Sequence, residues 1–93
     1  MNNERFESLS KAYREGLAEA VAAKPDDYAL GVLGNPSAPA DYARHVADKL
    51  LAKVRVDGIR SVGVAGADGW KRACKKLNIK HTYTAIENYL DGN

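Results

Sequence analysis

Apolar residues recur every three or four positions at the start of the chain, at Phe6, Leu9, Tyr13, Leu17 and Val21. That period predicts an amphipathic helix of about 20 residues with one buried stripe. Asn2 or Asn3 supplies its cap, and Glu4 and Glu7 sit where a helix start favours acid. Gly16 weakens the helix locally. Pro25 ends it, because Lys24 before the proline is pushed out of the helical region. Tyr42, Val46, Leu50 and Val54, widened by Ala43, Ala47 and Leu51, predict a second helix running to about Val54. Ser37 is its N-cap, Pro39 fits its first turn, and Asp57-Gly58 is the stop. A third helix has Trp70, Ala73, Cys74 and Leu77 on one face, with Asp68 as cap and Asn78 as a left-handed end. A fourth starts at Thr82 or Thr84, the latter at capping-box distance from Glu87. It buries Tyr83, Ile86 and Leu90 and ends at Gly92.

Two stretches have no such period. Residues 26–39 read as a connector: Tyr28-Ala29-Leu30-Gly31-Val32-Leu33 suits a short strand or a helical turn, and Gly34-Asn35-Pro36 is turn chemistry. In residues 59–69, Ile59, Val62 and Val64 suit a short strand, whereas Gly63, Gly66 and Gly69 argue for a loop. The expected fold is mainly α, a compact bundle of about four helices with a C-terminal helix-turn-helix-like hairpin and room for one or two short strands. Residues 1–93 form a single domain, since a chain this short supports one core. With 15 alanines and a single phenylalanine, that core is built from small residues and a few tyrosines, closely packed.

Charge adds a second pattern. Residues 1–48 carry eight acids and five bases, and residues 49–93 carry four acids and nine bases. Between Gly69 and Ile86 stand Lys71, Arg72, Lys75, Lys76 and Lys80, with His81 beside them and no acid. A cluster of this kind is the electrostatic footprint of a nucleic-acid contact, and the plain alternative is a solvated helix face. If His81 faces a phosphate, binding strengthens below about pH 6.5. No run is long and apolar enough for a membrane span. The polar, acid-bearing start is unlike a signal or transit peptide. The lone Cys74 fits a reducing compartment, the cytoplasm.

Catalytic constellations are wanting. Cys74, His45 and His81 do not fall at metal-ligand spacing, and Cys74 lies on an apolar face as a small core residue. The glycines at 63, 66 and 69 fit neither the dinucleotide fingerprint nor a phosphate-binding P-loop, which needs Lys then Ser or Thr where Trp70 stands. Asp26-Asp27 and the Glu15/Glu19 pair have turn and wet-face roles. The reading is therefore non-enzymatic, without metal, cofactor or small-molecule substrate.

Ala73-Cys74-Lys75-Lys76-Leu77-Asn78-Ile79 resembles the first half of a helix-turn-helix. The second half departs: the buried positions expected there fall on Thr84 and Glu87, and the apolar residues are Tyr83, Ile86 and Leu90. Asn88 is the one strong base-reading side chain, and the charge on the first helix and turn suits backbone contact. The stretch from Lys71 to Ile86, closing with Tyr89-Leu90, resembles the C-terminal segment of small accessory proteins of temperate bacteriophages and prophages. Elsewhere the likeness is one of layout. It implies a non-catalytic protein of the host bacterial cytoplasm that inhibits a nucleoprotein machine, as anti-CRISPR proteins do by docking on a Cas effector. The contact set would be Lys71, Arg72, Lys75, Lys76, Lys80 and His81, against a host protein or ribonucleoprotein, with RNA or DNA backbone in reach. The alternatives are a helix-turn-helix-like DNA-binding transcriptional regulator and an adaptor with a merely solvated basic face.

Overall fold

In a computed structural model, residues 1–24 and 39–92 are described. Helix α1 spans Asn3–Ala23. The Asn2 side chain accepts a hydrogen bond from the Arg5 amide at 3.0 Å, satisfying one of the unpaired donors at a helix start. The expected stripe of Phe6, Leu9, Tyr13, Leu17 and Val21 is buried, joined by Ala12, Gly16 and Ala20. Helix α2 spans Pro39–Asp57, three residues past Val54. Its buried line is Ala43, Ala47, Leu51 and Val54; Val46 and Leu50 pack at the margin, and Tyr42 stays outside the core cluster. The alanines are the centre of this seam because they let the two long helices lie close. Gly58 then turns the chain at φ 90°, a conformation that L side chains rarely adopt. The expected connector strand or turn at 28–33, the turn at 34–36 and the Ser37 cap lie outside the described residues.

The 59–69 stretch forms no strand. Ile59–Ser61 is a single 3-10 turn, and Ile59, Val62 and Val64 still point into the core. Side chains satisfy part of the backbone that a paired strand would have engaged. The Tyr83 hydroxyl donates to the Val62 carbonyl at 3.0 Å and accepts from the Val64 amide at 3.4 Å. His81 Nε2 bonds the Val64 carbonyl.

Helix α3 spans Asp68–Leu77 and α4 spans Tyr83–Leu90. Asp68 is the first residue of α3, not its cap; the cap is Ala67, which makes no side-chain bond. Asn78 ends the helix in the left-handed region, at φ 57°, as expected. Thr82 is the cap of α4, accepting from the Ala85 amide at 3.1 Å. The Thr84–Glu87 capping box does not form, because the helix starts at Tyr83 and Thr84 lies inside it; Glu87 accepts from Arg60 instead.

Helix α3 runs back along α1, with backbone close to backbone where they cross. A Cβ on Gly16 would stand 2.8 Å from the Gly69 carbonyl oxygen and 3.1 Å from the Ala73 amide. A Cβ on Gly69 would stand 3.0 Å from Leu17. Gly16, expected only to weaken α1, is thus what admits α3. Above that contact Tyr13 and Trp70 stack with ring centroids 3.7 Å apart and planes within 9°. Trp70 is 1% exposed. Its burial contributes roughly 3 kcal/mol, with about 1 kcal/mol more from the stack. Helix α4 packs on α1 and on the 3-10 turn, and the Asn2 amide donates to the Leu90 carbonyl at 2.7 Å, closing the bundle. Four helices and no strand occur among the described residues, and none of these helices is long and apolar enough to cross a membrane.

Candidate functional site

Burying Trp70, Ala73 and Cys74 fixes the rotation of α3 and sends its cations outward in two rows. Lys71 and Lys75, four residues apart, form the exposed row. They make no ion pair among the described residues, nor does exposed Lys80 in the turn that follows. Arg72 and Lys76 form the second row, on the flank nearest α1. Arg72 Nε donates to Asp68 Oδ2 at 3.0 Å. Lys76 Nζ lies 2.8 Å from Glu19 and 3.9 Å from Glu15. The six residues singled out in the sequence therefore divide. Three stand outward, two are held by carboxylates, and His81 is turned onto the Val64 carbonyl and spent on the loop. A phosphate role for His81 requires an outward ring, which this contact does not provide.

Electrostatics follow the same division. The hydrogen bond from Arg72 holds the Asp68 carboxyl below the usual carboxylate range, with Lys24 and Lys71 adding to the field. The bidentate bond to Glu87, at 3.0 Å through both Nε and Nη2, raises Arg60 above its ordinary value. Burial pushes the Cys74 thiol up, the opposite of what a reactive thiol needs.

Exposed positions on α4 are Thr84 and Asn88, with Asp91 just beyond, so the helix offers no cation to a groove. Among the described residues no group of three or more His, Cys, Asp or Glu side chains comes together.

Sequence reading missed a second cationic feature. A cleft of about 530 Å³ lies between α1 and α2, lined by Lys11 and Arg14 from one helix and Arg44 and Arg55 from the other. Glu7 and Glu15 also line it. Arg14 pairs with Asp48 at 3.3 Å and Arg44 with Asp41 at 3.0 Å. Arg55 lies over the Phe6 ring, 4.2 Å from its centroid. Lys11 also borders a shallow hollow that contains Lys76, so the two cationic features meet across α1. The available signal was the i, i+3 spacing of Lys11 and Arg14, hidden by the acidic balance of the first half.

No protein-family model matches the chain, and neither a curated protein nor a solved structure matches it.

Proposed function

We infer that this is a non-catalytic binding protein that docks on a host nucleoprotein machine through the exposed side of α3 and the turn after it. Inhibition of a Cas effector, as by anti-CRISPR proteins, is the specific form proposed. The observation that carries the reading is the row of Lys71 and Lys75, continued by Lys80: three exposed ammonium groups that make no direct ion pair among the described residues. Like charges left unpaired on a rigid helix face act through space on an anionic partner and speed its encounter. Arg72 and Lys76 brace that face by tying it to Asp68 and Glu19. The absence of cations on the exposed side of α4 favours backbone or surface contact over base reading.

Purified Cas effector ribonucleoproteins of different types, mixed with the protein and separated by gel filtration, test this directly. An equimolar complex that blocks cleavage of target DNA, and is lost in Lys71→Glu/Lys75→Glu/Lys80→Glu, is the expected result. Failure to associate with any effector, together with salt-dependent binding to duplex DNA, would replace it with the DNA-binding regulator.

A further inference from the structure

We propose that the outward row of α3 takes the phosphate backbone of a single nucleic-acid strand, whatever its base sequence. The inference rests on the docking reading above for the face itself, and it names the partner: the nucleic acid of a nucleoprotein and not its protein. Five cations stand on α3 and the turn after it, and the carboxylates that meet them are Asp68, Glu15 and Glu19. These pair with Arg72 and Lys76, so the face keeps a positive surplus on Lys71, Lys75 and Lys80. Lys71 shares the field of Asp68, but that carboxylate is bonded to Arg72. The α1–α2 margin keeps no such surplus, because Asp41, Asp48, Glu7 and Glu15 balance its four cations. The surplus is also held in place. The Asn78 and Ile79 amides close on the Lys75 and Cys74 carbonyls at 3.2 and 3.0 Å, and His81 ties the far side of the turn to Val64.

The side chains select among anionic partners. Lys71 and Lys75 are one turn apart, about 6 Å along the axis at 1.5 Å per residue, which suits neighbouring phosphates of one strand. An ammonium group meets a phosphate as a point charge and needs none of the planar register of an arginine–carboxylate pair. Lysine is depleted at protein–protein interfaces, whose affinity comes from buried aromatic or arginine anchors. This face presents no such anchor: Trp70 is buried, Leu77 and Ile79 pack on the core, and Arg72 is bonded to Asp68. A duplex would bring a second backbone toward α4, whose exposed residues Thr84 and Asn88 carry no cation and are followed by Asp91. Nor is there a free ring on which a base could stack. Tyr83 lies under Arg60 with its hydroxyl on Val62, and His81 is bonded to Val64. Neither affinity nor sequence preference therefore comes from the bases.

The test titrates the full chain into fluorescein-labelled oligothymidylate and oligouridylate by anisotropy at several salt concentrations. Both strands should bind weakly and alike, with a salt slope of about 2, at ~0.7 for each of three phosphate contacts. Lys71→Gln/Lys75→Gln should weaken binding about tenfold and flatten the slope by about 1.4. Lys49→Gln/Lys53→Gln removes the same charge from the exposed side of α2, where neither lysine makes an ion pair among the described residues. That control should change affinity less than about twofold. Circular dichroism confirms that both variants fold. No binding at low salt overturns the proposal. Equal loss in the two double variants overturns it in favour of a diffuse field. Displacement by polyglutamate at matched charge overturns it in favour of an acidic protein partner, and tighter binding to duplex than to single strands overturns it in favour of the DNA-binding regulator. The effector experiment is scored separately. A complex with an effector and no strand binding leaves the docking reading standing without this inference, and strand binding without any effector complex does the reverse.

Discussion

Helix α1 packs against both α2 and α3, and it meets them in opposite ways. Against α3 the contact is dry and close: Gly16 on Gly69, Tyr13 on Trp70, with Leu17 filling the gap. Against α2 an inner seam of alanines, Ala43 and Ala47, holds the helices together, but the outer margin opens into a cleft edged with charge. One face of a single helix is committed to close packing and the other to ion pairs along a solvated edge. The difference is set by side-chain size. Two glycines bring backbones together and exclude solvent, whereas long arginines on both sides of a seam need room for their hydrated heads.

The strongest way to break this contrast is at the aromatic pair. Trp70→Ala should cost about 3–5 kcal/mol, enough to unfold a marginal domain, as read by urea denaturation. Gly16→Ala comes next. Alanine is the better helix former by about 1 kcal/mol, yet its Cβ would meet the Gly69 carbonyl at 2.8 Å. A net loss of roughly 1–2 kcal/mol is expected from such overpacking. Gly63→Ala is the control, since nothing lies within 4 Å of its Cβ position and its φ is not positive; its midpoint should not fall.

Much of this contrast was legible in the sequence, and the illegible part has a physical reason. The α1 stripe, the apolar face of α3 and the Asn78 end follow from spacing and local conformation, which nearby residues determine. Gly16 reads as a defect until Gly69 stands opposite it, because a close crossing is a property of two distant segments. Val62 and Val64 alternate as a strand would, but no strand forms among the described residues; Tyr83 and His81 supply the partners from about twenty residues away. The candidate site divides similarly. The outward lysines were readable as a charge run, whereas Arg72 and Lys76 lose their independence only when Asp68, Glu15 and Glu19 are placed beside them.

Smaller effects sharpen the comparison. Tyr83→Phe removes the hydroxyl that bridges Val62 and Val64, and a loss of about 1 kcal/mol in thermal denaturation is expected. Cys74 is 1% exposed, and burial raises its thiol. Alkylation by iodoacetamide near pH 8 should therefore be slow in the native protein and fast in urea. Modification at equal rates would mean that the α1–α3 contact opens readily. The smallest effect concerns Asp68. Its depressed carboxyl contributes stability above the ordinary carboxylate range, and that contribution disappears as pH falls through the depressed value. Asp68→Asn should flatten the acid limb of a Tm–pH curve slightly, the group being open to solvent.

The Tyr13–Trp70 stack also makes the molecule its own optical instrument. Trp70 is the sole tryptophan, buried and within 3.7 Å of a tyrosine ring. Light absorbed by Tyr13 will be passed to Trp70, so the ultraviolet emission of the chain reports on this one junction. A contact made on the α2 side of α1 will leave that emission blue and steady. One that levers α3 away from α1 will shift it to the red, revealing without any label which neighbour of α1 a partner disturbs.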